Sequence, residues 1–158
     1  MEEEEVELPS SEEQWEALLL LEGEYRADVL TNLAISYSDT EDAPFAIALA
    51  EEAAQIYFEV GLDETDLSFV WVYGSLALAK AQVGELNEAI SAGVKCLQLE
   101  DANSIFCYQE LWMKMLEWYL TMGRYQEARS HFMKLVERYK NPDSCHYEYL
   151  RQKKERNR

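Results

Sequence analysis

Leu111-Trp-Met-Lys-Met-Leu-Glu-Trp-Tyr-Leu-Thr-Met-Gly-Arg-Tyr-Gln-Glu-Ala-Arg-Ser-His-Phe132 reads as two helices and the turn between them. Trp112, Met115, Leu116 and Tyr119 fall at i, i+3, i+4 and i+7, which lines one face of a helix. Gly123 breaks the pattern, and a second helix then opens on a small residue, Ala128. The same stripe occurs upstream as Leu30, Leu33, Ala34 and Tyr37. It recurs as Tyr73, Leu76 and Ala77, with Lys80 in the last slot. Each is followed by a break and a second helix carrying Ala46 or Ala89. A helix–turn–helix unit repeated along a chain is the mark of a helical array. Runs of alternating Val, Ile and Thr are absent, so no sheet is expected and the fold class is all-α.

Working outward from these stripes gives the organisation. Residues 1–10 are expected to be an acidic disordered tail, and residues 11–150 a single domain. Ser11 with Gln14 forms a capping-box pattern ahead of Trp15, so a short helix is expected to about Glu22, where Gly23 interrupts. The first unit spans about 25–60: one helix to Tyr37, a polar turn ending at Pro44, and a second helix from Phe45 to Val60. Thr65 or Asp66 is expected to cap the second unit (66–100), with helices over Leu67–Val83 and Leu86–Leu99. Asn103 or Ser104 is expected to cap the third (103–141), whose helices end at Met122 and Lys140. A final helix within 144–155 and a basic tail, 151–158, would follow. Leu33, Ala34, Leu76, Ala77, Met115 and Leu116 are the expected core.

Gly84-Glu-Leu-Asn-Glu-Ala89 and Gly123-Arg-Tyr-Gln-Glu-Ala128 resemble the turn of tetratricopeptide repeats. Trp112, Tyr119, Gly123, Tyr125, Ala128 and Phe132 match that family's motif at its offsets. The resemblance covers about residues 25–142. It implies a right-handed superhelical array of about three helix pairs with capping helices at both ends. Spacings depart from the family period of 34 residues. Gly84 to Gly123 is 39 residues, and Leu30 to Tyr73 is 43, closer to the kinesin-light-chain-like branch. The second unit departs most, with Lys80 for a tyrosine and Gly93 for a large aromatic.

The 158 residues carry a formal net charge of −17, unevenly placed. Eight of the first sixteen residues are Glu. The last eight sum to +4, leaving −21 on the body. Such a surface repels phosphate backbones and anionic lipids, so neither nucleic acid nor membrane is expected as a partner, whereas a basic partner is attracted. Cys96, Cys107 and Cys145 have no metal-ligand spacing and are odd in number, and the N-terminus has no basic n-region. Thiols without a disulfide and a cytoplasmic location are the expectation.

No phosphate-binding glycine loop, nucleophile elbow or CxxC occurs. Glu127 and His131 share a helix face but lack a second carboxylate–histidine motif, and are read as a surface polar pair. Cys145-His146 has no scaffold for a dyad. The chain is therefore read as a non-enzyme, with no catalytic residue, no metal and no cofactor.

The tetratricopeptide resemblance also implies where a partner binds, because inward residues of each unit's first helix face a concave groove in that family. Here they are Asp28, Thr31, Ile35 and Ser38, then Trp71, Gly74, Leu78 and Gln82, then Glu110, Met113, Glu117 and Thr121. The clamp that some members use on a peptide carboxylate is missing, because its positions hold Thr31, Ile35, Gly74, Ser75, Glu110 and Lys114. The implied function is an adaptor or scaffold. Its groove, centred on Trp71, Leu78, Met113 and Glu117, would take a protein or peptide with apolar anchors and basic flanks. Two alternatives stand beside it: a structural subunit that self-associates through its repeats into a homo-oligomer, and a sensing or regulatory repeat domain of a larger regulator.

Overall fold

The computed structural model describes residues 12, 13, 16, 20–106 and 108–140. The expectations for the acidic tail, Trp15, most of the first cap, Cys107, Cys145, His146, the 144–155 cap and the basic tail lie outside the described residues. Among the described residues there are six α-helices and no strand: α1 (Gly23–Tyr37), α2 (Ala43–Glu59), α3 (Ser68–Gln82), α4 (Leu86–Ala102), α5 (Gln109–Thr121) and α6 (Tyr125–Lys140).

The punctuation explains most of these limits. Gly84 and Gly123 adopt φ of +87° and +71°, a region that costs other residues dearly. At those points Glu85 N–H donates to the Lys80 carbonyl at 2.9 Å, and Arg124 N–H to the Tyr119 carbonyl at 2.8 Å. These bonds satisfy carbonyls left open at the helix ends and reverse the chain sharply. Pro44 sits in the first turn of α2, where a missing N–H does no harm. Asp66 accepts from the N–H of Ser68 at 2.9 Å and so leads into α3, whereas Thr65 bonds back to Asp63.

Asn103 does not open the third unit. Its amide donates to the Leu99 carbonyl at 2.8 Å and to the Thr65 carbonyl at 3.0 Å, so it closes α4 instead. α5 then starts only at Gln109, and the connection tucks Phe106 and Tyr108 into the core. Glu100 holds that connection from beneath. Although wholly buried, it accepts from Tyr108 N–H at 3.1 Å and from the Trp112 indole N–H at 3.2 Å. Arg138 covers it from α6, with its guanidinium 5.8 Å from the ring centres of both Phe106 and Trp112 and an ion pair to Asp101.

Each helix packs on the next, and α1, α3 and α5 also meet in succession. α3 therefore touches α1, α2, α4 and α5 and is buried around most of its circumference. The stripes Leu30–Leu33–Ala34 and Trp112–Met115–Tyr119 are buried, as are Ala46, Ala77, Ala89 and Ala128. Leu76 and Leu116 are half-buried and pack against the core from its margin. Lys80, in the slot that holds tyrosine elsewhere, reaches across the Gly84 turn to Glu85 at 3.3 Å and Glu88 at 2.9 Å. Gly93 stands where an aromatic was expected because Met115 fills that space: a β-carbon on Gly93 would lie 2.6 Å from its sulfur.

Candidate functional site

One face of α1 presents Asp28, Thr31, Asn32 and Ile35 at i, i+3, i+4 and i+7. Opposite them lie Ser68 and Trp71, one turn apart on α3, with Leu67 just before its start. Tyr57 of α2 reaches in between and is almost fully buried. Together these side chains line an open groove of about 550 Å³.

Its aromatic wall is fixed in place. The Trp71 ring leans on Tyr108, with centroids 5.5 Å apart and planes at 50°, yet 38% of Trp71 stays exposed. Tyr108 in turn is seated against Gly74, where any β-carbon would overlap its ring. The polar wall is equally ordered. Tyr57 donates its phenolic hydrogen to Asp28 Oδ1 at 2.5 Å, and Thr31 donates its hydroxyl hydrogen to the Ala27 carbonyl at 2.8 Å. Burial, reinforced by the hydrogen bond to Asp28, holds the Tyr57 phenol well above the usual tyrosine range. It therefore keeps its proton and remains the donor. Among the described residues no Lys or Arg lines the groove.

Of the residues expected from sequence, the groove brings together Asp28, Thr31, Ile35 and Trp71. Gly74, Leu78, Gln82, Glu110, Met113 and Glu117 do not line it. Gly74 and Leu78 are buried, because the central helix α3 has neighbours on nearly every side. Gln82 is exposed at the end of α3; Glu110, Met113 and Glu117 are exposed along α5. The Tyr108 ring occupies the space between α3 and α5, so Trp71 opens toward α1 rather than toward Met113. Ser38, expected beside Ile35, is buried and bonds to the Ile35 carbonyl at 2.9 Å.

His131 is not a surface residue. It is buried, stacked 4.6 Å from Trp112, with Nε2 2.7 Å from the Trp112 carbonyl. Burial pushes its pKa down, so the neutral ring donates that hydrogen bond. Glu127, its expected mate, instead pairs with Arg124 at 2.5 Å. A smaller groove of about 240 Å³ runs past His131 and carries charges of both signs, Asp101, Glu127 and Lys134. Cys96 is buried, with its thiol directed at the Val70 carbonyl at 3.3 Å. Among the described residues no group of three or more His, Cys, Asp or Glu side chains is placed to hold a metal ion, and no helix is long and apolar enough to cross a membrane.

Sequence reading overlooked Asn32, Tyr57, Leu67 and Ser68 in the groove, and Tyr108 behind it. A face rule treats one helix at a time, whereas Tyr57 enters from a second helix. The legible hint was Gly74, since glycine inside a helix costs about 1 kcal/mol against alanine and marks a close approach. No protein-family model matches the chain, and no curated protein or solved structure matches it.

Proposed function

We propose that this chain is a non-enzymatic interaction module, a tetratricopeptide-like array of three helix pairs, α1–α2, α3–α4 and α5–α6, that binds a partner peptide or helix between α1 and α3. The observation that carries this reading is Trp71: a large aromatic, held rigid by Tyr108, that keeps an exposed face inside a concave groove. Aromatic anchors of this kind dominate the energetics of peptide recognition. The glycine turns, the close-packed alanines and the succession α1, α3, α5 support the repeat architecture. The strongly acidic surface supports a basic partner in a cytoplasmic setting.

The test is selection from a random-peptide display library on the full chain, repeated on Trp71→Ala. Selected peptides are expected to lose roughly thirtyfold or more in affinity for the variant, the effect of removing a buried aromatic anchor worth about 2 kcal/mol or more. Peptides that bind both proteins equally would place recognition elsewhere. A second reading, self-association, is favoured by α6, whose Tyr125, Phe132 and Met133 are 68%, 49% and 57% exposed, although Tyr125 and Phe132 match core positions of the repeat motif. Sedimentation equilibrium decides that point: a monomer up to high protein concentration removes it.

A further inference from the structure

The groove between α1 and α3 is unusual in what its polar atoms can offer. The Tyr57 hydroxyl has given its hydrogen to Asp28, and the Thr31 hydroxyl has given its own to Ala27. Neither hydroxyl has a hydrogen left to give, and the two lie against one another in the nearly buried floor beneath Asp28. Asp28 accepts from Tyr57 through Oδ1, which leaves Oδ2 open, and none of the described cations pairs with it. The opposite wall carries the part-exposed indole of Trp71. The one charged group that lines the space among the described residues is therefore a carboxylate, and it faces an indole, a pairing that matches a planar donor-rich cation.

We infer that this groove is a receptor for an arginine side chain of a partner peptide, whose guanidinium stacks on Trp71 and donates to Asp28. This rests on the groove being the partner site, and it makes the cation the anchor rather than a flank. Guanidinium fits better than ammonium because its five donors lie in one plane, its face stacks on indole, and it sheds water more readily. A carboxylate-bearing anchor would meet the Asp28 carboxylate and be repelled.

The probe is N-acetyl-arginine amide titrated into the full-length protein, followed through the Trp71 indole N–H resonance, which is identified by its loss in Trp71→Phe. The controls are N-acetyl-citrulline amide, neutral and nearly isosteric, and N-acetyl-lysine amide. Arginine is expected to bind roughly tenfold more tightly than either, and Asp28→Asn to remove most of that advantage. Asp28 is exposed, so this variant leaves the packing intact. Equal binding of arginine and citrulline, equal binding of arginine and lysine, or indifference to Asp28→Asn would each overturn the inference. Display selection separates the two ideas. Trp71-dependent peptides without arginine enrichment sink the arginine anchor and leave the groove standing. Arginine amide binding without any Trp71-dependent peptide sinks the peptide reading and leaves the cation site.

Discussion

Glu100 shows how far a single residue can stand from its type. In a chain rich in solvated glutamates it has no exposed surface, and its carboxyl group receives one backbone and one indole N–H at the start of α5. Glu100→Ala leaves at least these two buried donors unsatisfied, each costing about 1–3 kcal/mol, so a loss of about 2–6 kcal/mol is expected in urea unfolding. A change below about 1 kcal/mol would show that water replaces the carboxyl group without penalty. His131 makes a pH prediction with a definite sign. Its folded pKa lies below the ordinary histidine value, chiefly through burial, so the unfolded state takes up the proton first. Its contribution is therefore fully present above the unfolded pKa of about 6.5 and drains away as pH falls through the lower folded value. His131→Gln, which keeps a donor for the Trp112 carbonyl, should flatten the stability profile in that window. An unchanged profile would assign the titration to another group. Neither residue was legible, because one glutamate among many and one histidine on a mixed face look solvated until packing is known.

At the scale of the elements, the glycines inside helices give a matched pair of tests. Exposed helical glycine to alanine normally stabilises by about 1 kcal/mol. Gly74→Ala instead drives a β-carbon into the Tyr108 ring, which is wedged between Trp71 and the core and has nowhere to go. A loss of about 1–3 kcal/mol is expected, with the Trp71 wall displaced as well. Gly93→Ala meets the Met115 side chain, whose flexible thioether can re-pack, so propensity offsets crowding and stability should stay within about 1 kcal/mol of the parent. Equal effects at the two sites would mean that the neighbour's stiffness does not matter. The same contrast explains what sequence could and could not tell about the elements. α6 begins at Tyr125 as expected, because Gly123 before it is a local instruction. α5 begins later than expected because Asn103, a good cap for either neighbour, is recruited by Leu99 and Thr65. Similarly, the α1 wall of the groove was legible as one helix face, whereas its Tyr57 floor depends on how three helices meet.

For the whole molecule, the decisive quantity is the formal charge of −17. Its acids outnumber its bases 31 to 14, so most of them face other acids rather than partners. Self-repulsion of this kind opposes the compact state and is relieved by screening. Among the described residues the attractive pairs that screening would weaken are few and largely exposed, such as Arg26–Glu52 at 3.5 Å and Arg124–Glu127 at 2.5 Å, and exposed pairs of that kind contribute little. Repulsion should therefore win. The melting temperature is expected to rise by a few degrees as sodium chloride goes from about 10 mM, where the Debye length is roughly 30 Å, to about 150 mM, where it is roughly 8 Å. Association with a cationic peptide should respond in the opposite direction over the same range, its on-rate falling as the steering field is screened. Measuring both in one buffer series tests the common cause. A melting temperature that falls with salt, or a peptide on-rate indifferent to it, would show that local pairing rather than the net field governs this molecule.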